Sequence, residues 1–377
     1  MIGNLDLITL QQIWWIICSL VGSLFLFLTF VQGGQTLLWQ VAKSETEKSL
    51  IINSLGRKWE LAFTTLVLFG GALFAAFPLF YATSFGGAYW VWMLILFTFI
   101  VQAVSYENRK KPNNFLSAKT YEAFLFINGS VGVLLIGAAI GTFFTGSNFT
   151  LNEYNSVTWT SELRGVEAAF SFFNLSMGLF LVFNARSLGA MYLVNNINFN
   201  GVPELEVRLR KACLQSFLCS LPFLLYIVGA LVFIDGYGTD ANGVVSMVAN
   251  KYIGNLLAMP IVLGFLLVGL LLVIIGVTRT GLGNGTSGIW FGGPGTVLVG
   301  LALLFTAAFN GTAFYPSKVD LQSSLTIYNA SSSHYTLTAM TYVAMVIPFV
   351  LGYIVYVWRV MDFRKIDTDD LSDKKAY

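Results

Sequence analysis

The sequence predicts an all-α, polytopic membrane protein, and its composition, run lengths and residue pattern support that prediction. Of the 377 residues, 56% are hydrophobic and only 11% are charged, whereas soluble domains carry about 25% charged residues. Several apolar stretches exceed the ~20 residues that a helix needs to cross the hydrocarbon core. They are continuous and lack the alternation of membrane β-strands, which favours helices over a barrel.

Nine transmembrane helices are expected from the positions of these stretches. They lie at about 13–38, 60–82, 86–104, 120–145, 165–190, 212–234, 254–277, 290–313 and 338–360. Prolines fall inside several of these spans, where membrane helices tolerate a kink; among them are Pro78, Pro222, Pro260 and Pro348. Tryptophans lie near span ends, as is typical of interfacial aromatic belts: Trp14, Trp15, Trp39, Trp59, Trp90, Trp290 and Trp358.

We expect a single integral membrane domain over residues 1–377, built from two four-helix bundles and one peripheral helix. The similar stretches FLTFVQGGQTLLW and FLVFNARSLGAMYL suggest a pseudo-repeat, although their match is weak. Spans 1–4 at about 13–145 would form one unit and spans 5–8 at about 165–313 the other. The ninth span follows, and the polar segment 361–377 is expected to be a frayed tail.

The distribution of cations predicts the orientation of the chain. Alternate loops hold 18 of the 21 lysines and arginines, and the other set holds only Arg164, Lys251 and Lys318. Cytoplasmic loops carry the excess of cations in membrane proteins. The N-terminus is therefore predicted to lie outside and the tail in the cytoplasm, as in a multi-pass protein of the bacterial cytoplasmic membrane. The cation-rich set comprises Lys43, Lys48, Arg57, Lys58, Arg109, Lys110, Lys111, Lys119, Arg186, Arg208, Arg210, Lys211, Arg279, Arg359, Arg364, Lys365, Lys374 and Lys375.

Glu60 is the first candidate for a functional side chain. An ionisable residue in a span is costly and is therefore a functional hypothesis by default. Thr64 follows Glu60 by four residues and so lies on the same helix face. We expect Glu60 and Thr64 to begin a proton path, with a plain interfacial anchor as the alternative. Glu122 and Asp235, also near span ends, are expected to be interfacial anchors.

Small residues recur within the spans and predict close helix packing. Glycines let two helix backbones approach each other, and a spacing of four residues places them on one face. The pair Gly137 and Gly141 in GVLLIGAAIG has that spacing. The full set of expected packing positions is Gly33, Gly34, Gly70, Gly71, Gly132, Gly137 and Gly141.

Several function classes are disfavoured by the residues that the chain lacks. It has one histidine, His334, whereas several haems would need several axial ligands. The three cysteines lie in apolar runs without metal-ligand spacing, so no metal site is expected. The sequence contains no GxxxxGK[ST] phosphate loop, and its net charge of +2 does not suggest nucleic-acid binding.

Four stretches carry a resemblance to a known family. SETEKSLIINSLGRKWE at 44–60 and GGALFAAFPLFYATSFGG at 70–87 resemble subunit II of cytochrome bd-type quinol oxidases. ENRKK at 107–111 resembles the basic turn that follows in that family. SSLTIYNASSSHYTLTAMTYVAMVIPF at 323–349 resembles its last outer loop and ninth helix.

The resemblance implies a role within a larger complex. Such a subunit binds subunit I, which ligates haem b and haem d, as a heterodimer and ligates no haem itself. The complex oxidises quinol and reduces oxygen to water in an aerobic respiratory chain, contributing to the proton-motive force. In this family an acid at the position of Glu60 lines a proton path from the cytoplasm. The resemblance also implies contacts with membrane lipids and small accessory membrane subunits, and a bound quinone or lipid.

Some positions depart from the family pattern. The acids that usually precede the glycines of the first span are missing from FVQGGQTLL, where Val31 stands. Lys58 occupies a position that is commonly histidine, and Gln102 one that is often arginine. These changes indicate a divergent branch. A secondary transporter with broken helices and a purely structural membrane scaffold remain the alternative functions.

Overall fold

The computed structural model describes residue 3 and residues 5–112 and 114–372. Its first half contains nine helices and two single π-helical turns, at Ala82–Gly86 and Asn128–Gly132. The nine helices are α1 (Leu7–Leu28), α2 (Phe30–Thr36), α3 (Leu38–Val41), α4 (Glu45–Gly56), α5 (Trp59–Ala76), α6 (Pro78–Tyr81), α7 (Tyr89–Asn108), α8 (Ala118–Ile127) and α9 (Val133–Thr145).

The second half of the described chain contains seven further helices and a π-helical turn at Thr278–Leu282. These helices are α10 (Phe172–Asn196), α11 (Pro203–Phe233), α12 (Lys251–Ala258), α13 (Pro260–Val277), α14 (Ile289–Ala308), α15 (His334–Ala344) and α16 (Ile347–Met361). Short 3₁₀ turns lie at Val166–Phe170, Leu321–Ser323 and Asp369–Ser372.

Eight described helical segments are long and apolar enough to cross a membrane, and the bent pair α15–α16 makes a ninth. This confirms the prediction of an all-α polytopic membrane protein. Spans 1 to 8 are Leu7–Thr36, Glu45–Ala76, Tyr89–Asn108, Ala118–Thr145, Phe172–Asn196, Pro203–Phe233, Pro260–Leu282 and Ile289–Ala308. Span 9 joins His334–Ala344 to Ile347–Met361 with a bend of 40°.

Spans 2 and 6 begin well before the residues that hydropathy predicts, because polar residues extend their helices beyond the apolar run. Span 2 begins at Glu45 rather than near residue 60, and the side chain of Ser44 caps it by accepting a hydrogen bond from the Glu47 backbone N–H. Span 6 begins at Pro203 rather than near residue 212. Its first turns carry two ion pairs at a spacing of four, one of which joins Glu206 to Arg210.

Span 5 is the centre of the fold. Of its most apolar window 78% is buried, against 28% for span 2 and for span 7. It packs on α2 of span 1, on α9 of span 4 and on α11 of span 6. Span 1 also packs on spans 2 and 8, so spans of the two predicted sets contact each other directly.

The two ends of the bundle differ in structure. At one end, which we call the hairpin end, β1 (Phe149–Leu151) pairs with β2 (Val157–Trp159), and β3 (Gly236–Thr239) pairs with β4 (Val245–Val248), both antiparallel. One bridge joins Gly238 of β3 to Thr312, and another joins Ser147, just before β1, to Ser317. The other end, which we call the basic end, carries the cation-rich loops.

Part of the C-terminal segment is docked, contrary to the expectation of a frayed tail. Ile366 is fully buried, and its backbone N–H donates to the carbonyl of Asn196 at 2.9 Å. Its own carbonyl accepts from the backbone N–H of Asn198 at 2.7 Å. Residues 373–377 of the predicted tail, with Lys374 and Lys375, lie outside the described residues.

We expect Gly33→Ala to destabilise the protein, because the added methyl group would lie 2.0 Å from the carbonyl carbon of Ala185 in span 5. Overpacking of this kind costs about 1–3 kcal/mol. The thermal unfolding midpoint of the purified protein measures the effect. Gly264→Ala in span 7 is the matched control, since its methyl group would meet no atom within 4 Å. Equal midpoints for the two variants would contradict the proposed role of the span 1–span 5 contact.

Candidate functional site

The start of α5 is held by the end of span 9. The Lys58 ammonium, 1% exposed, lies 2.9 Å from Oδ1 of Asp362 and 4.9 Å from the ring centroid of Trp358. Nη1 of Arg57 donates to the carbonyl of Met361 at 3.2 Å. A lysine has lost most of its hydration at such a site, and the carboxylate and the aromatic face replace it. These contacts fix where the next residues of α5 point.

Glu60 and Thr64 lie on the outward face of α5. Both are exposed, and Oγ1 of Thr64 donates to the carbonyl of Glu60 at 2.7 Å. The same face continues with Leu68, Gly71 and Phe74. Among the described residues Glu60 has no ion-pair partner. The carboxylate therefore sits at the basic end of an otherwise apolar surface stripe.

A buried ion cluster lies beside this region, at the basic end of spans 2, 3 and 4. Glu122 is 2% exposed, so the prediction that it is an interfacial anchor is wrong. Its Oε1 lies 2.8 Å from Nη2 of Arg109, and its Oε2 accepts from Lys48 at 2.8 Å and from Trp39 at 2.9 Å. Arg109 also pairs with Glu45, whose side chain is 67% exposed. The cluster thus joins four segments and reaches the surface at Glu45.

The predicted packing glycines divide into several groups. A methyl group at Gly137 would lie 2.6 Å from Cα of Gly178 in span 5. A methyl group at Gly33 would lie 2.0 Å from the carbonyl carbon of Ala185 in the same span. At Gly34, Gly132 and Gly141 the nearest atoms are side chains, at 2.4–2.7 Å.

Gly70 and Gly71 differ from the other glycines. A methyl group at Gly70 would make only ordinary contact with Phe85 at 3.5 Å, and at Gly71 it would meet nothing within 4 Å. Gly71 therefore packs against no other helix among the described residues, because it lies on the exposed face of α5.

The histidine and cysteine side chains of the described residues lie apart from one another. His334, the only histidine, is exposed, and its Nε2 lies 2.8 Å from the carbonyl oxygen of Leu5. Cys18 and Cys213 are buried among apolar side chains. Within the described part of the chain, no three histidine, cysteine, aspartate or glutamate residues form a group that holds a metal ion.

Sequence reasoning missed two polar features of the bundle. The first is the ion cluster, whose members Lys48, Arg109 and Glu122 are far apart in the chain. The second is a set of buried amides that includes Gln32 and Asn128. The sequence could have indicated the amides, because they lie inside apolar runs, where a polar residue needs a partner.

Comparisons with known proteins agree with this architecture. The family model described as cytochrome bd terminal oxidase subunit II matches residues 10–361. "Cytochrome bd-I ubiquinol oxidase subunit 2" of Escherichia coli strain K12 is 28% identical, covering 98% of each chain. "Cytochrome bd ubiquinol oxidase subunit 2" of Bacillus subtilis strain 168 is 25% identical, covering 95% of this chain and 96% of the relative.

A solved structure shares the fold. The bd oxidase from Geobacillus thermodenitrificans contains a chain that superposes with a TM-score of 0.65. The alignment covers 95% of this chain and 100% of that one, at 15% identity. The likeness therefore concerns the arrangement of helices and not the details of any site.

Fold and site together define a multi-span helical membrane subunit whose described residues offer no metal-ligating cluster. The chain belongs to the cytochrome bd terminal oxidase subunit II family. It is thus part of a quinol oxidase, an oxidoreductase complex of respiratory electron transport. The family supports the predicted oxidase subunit and not the secondary transporter.

We expect Glu122→Gln to destabilise the subunit strongly, because it leaves the buried Arg109 guanidinium short of a negative partner. Removing one member of a buried ion pair costs about 3–5 kcal/mol. The thermal midpoint of the purified complex measures this loss. Glu204→Gln is the control, since Glu204 pairs with Arg208 while 88% exposed, and such surface pairs contribute only about 0–1 kcal/mol. A Glu122→Gln midpoint equal to that of Glu204→Gln would contradict a structural role for the cluster.

Proposed function

We propose that the chain supports a haem-bearing subunit I and supplies, through Glu60 and Thr64, the entrance of a proton path. Subunit I ligates haem b and haem d in this account. The complex oxidises quinol and uses cytoplasmic protons to reduce oxygen to water. The observation that carries the proposal is the outward position of an unpaired carboxylate on a stripe of α5.

The orientation in the bacterial inner membrane follows from the charges. The basic end carries the cation-rich loops, and cytoplasmic loops carry the excess of cations in membrane proteins. We therefore place the basic end and the C-terminal segment in the cytoplasm and the hairpin end outside. Glu60 then lies where cytoplasmic protons enter.

The outward stripe of α5 is the surface that we assign to subunit I. A carboxylate and a hydroxyl facing lipid would be costly, whereas facing another protein they gain polar neighbours and water. Gly71 on the same stripe leaves room for the close approach of a partner helix. The stripe thus combines a polar entrance near the cytoplasm with an apolar contact surface deeper in the membrane.

A large apolar crevice between span 9 and spans 1 and 2 is the place that we assign to a bound lipid or quinone. Its volume is about 1330 Å³. It is lined by apolar residues such as Leu24 and Ile354, with Trp358, Arg359 and Asp362 at its basic end. Small accessory subunits and surrounding lipids are further expected partners, and quinol itself binds through subunit I.

We expect Glu60→Gln to slow quinol-driven oxygen consumption while the haem spectrum of the complex stays unchanged. The amide keeps the size of the side chain but does not accept and release a proton near neutral pH. General acid–base groups contribute about 10²–10⁴-fold to rates, and for one entrance residue we expect a loss of roughly tenfold. Oxygen uptake by the purified complex with a soluble quinol measures it.

Two variants accompany this experiment. Glu60→Asp keeps the carboxylate and should retain most of the activity. Glu107→Gln removes another exposed carboxylate at the basic end, in span 3, and should leave turnover unchanged. Full turnover of Glu60→Gln would reduce Glu60 to an interfacial anchor and the chain to a structural scaffold.

A further inference from the structure

Six buried polar side chains line one seam between spans 1, 3 and 4, which we call the amide seam. Each is at most 3% exposed. Their elements are α2, α7 and the π-helical turn at Asn128–Gly132. The six are Gln32, Gln35, Thr98, Gln102, Tyr106 and Asn128.

Spacing and hydrogen bonds bring these side chains together. Thr98, Gln102 and Tyr106 follow each other at intervals of four residues and so share one face of α7. Nε2 of Gln35 donates to the Tyr106 hydroxyl at 2.9 Å. At the other end of the seam, Nδ2 of Asn128 lies 3.4 Å from Oγ1 of Thr98. The two contacts mark the two ends of the seam.

Gln32 and Gln102 lie between these two ends. Spans 1 and 3 cross the bundle in the same direction, since one span separates them in the chain. One turn back from the Gln35–Tyr106 contact therefore brings Gln32 and Gln102 to the same level. The π-helical turn closes the third side, because a methyl group at Gly129 would lie 2.1 Å from the carbonyl oxygen of Gln32. Single π turns are frequent at functional sites.

Most polar atoms of the seam are not satisfied by the protein. Both polar atoms of the Gln32 amide and of the Gln102 amide lack a hydrogen-bond partner among the described residues. So do Oε1 of Gln35 and Oδ1 of Asn128. Buried water molecules typically bind where two to four such groups converge. Two donor and four acceptor atoms within one seam meet that requirement for more than one water.

The seam ends close to the buried ion cluster. Arg109 follows Tyr106 by three residues, directly after the end of α7, and pairs with Glu122 within that cluster. That cluster reaches the surface of the basic end at Glu45. Between the seam and the surface, the charged groups of the cluster and the Tyr106 hydroxyl can form hydrogen bonds with water, which apolar residues cannot do.

We propose that the amide seam binds a file of water molecules that runs from the buried ion cluster to Asn128. Water donates to and accepts from the four amides, and the Tyr106 hydroxyl links the file to the basic end. The file lies inside this chain, apart from Glu60, which is on the outer face of α5. The inference does not depend on the proposed function, because it concerns only the chain's own buried groups.

A cryo-electron microscopy map of the native complex at about 2 Å resolution tests the proposal. Ordered density is expected about 2.7–3.2 Å from the amides of Gln32 and Gln102, the range of hydrogen bonds. A map in which the seam holds no such density, with these amides turned to bind protein groups, would overturn the inference. The map reports whether the seam holds water, whatever the effect of Glu60 on turnover.

The variant Gln102→Met provides a second readout, because it keeps the length of the side chain and removes only the amide. In a hydrated seam it breaks water contacts and lowers the thermal midpoint of the complex by a few degrees. In a dry seam it removes an unpaired polar group, so the midpoint would rise, which contradicts the proposal. Asn255→Leu is the control, since this buried amide donates to the Thr306 carbonyl at 2.9 Å and to Thr312 at 2.8 Å. It should lower the midpoint in any case.

Discussion

The need to satisfy polar groups inside a membrane bundle governs where this chain places its charges. A buried polar group without a partner costs about 1–3 kcal/mol, and an unpaired charge costs more. The Glu122 carboxylate is paired with two cations, Lys48 and Arg109, and accepts a hydrogen bond from the indole N–H of Trp39. The Lys58 ammonium forms an ion pair with Asp362 and lies over the ring of Trp358. Glu60, by contrast, is exposed on α5 and has no ion-pair partner among the described residues.

The paired charges have a structural role. The paired charges tie the ends of spans together: Lys58 joins span 2 to the end of span 9, and Arg109 joins spans 2, 3 and 4. Span 5 holds the centre through close contacts such as that of Gly33 with Ala185. A rigid bundle of this kind holds the outward stripe of α5 at a fixed place, which the proposed entrance for protons would require.

Much of the fold was predictable from the sequence because hydropathy and cation distribution report directly on membrane spans. Hydropathy missed the helical starts at Glu45 and Pro203, since capping and ion pairs extend a helix without raising its apolarity. The buried cluster was not predictable, because Lys48 and Glu122 meet across 74 residues of chain. Glu60 and Thr64 were found as candidates, but only the structure reveals that they face outward.

We propose that this subunit holds no redox centre and that its partner carries the haems. The most direct measurement is the reduced-minus-oxidised haem spectrum of the purified complex carrying His334→Ala. His334 is the only histidine of the chain, and haem iron is commonly held by histidine. The account predicts that every haem band and the haem content per complex stay as in the unmodified complex. Loss or displacement of any one haem band in the intact complex would contradict it.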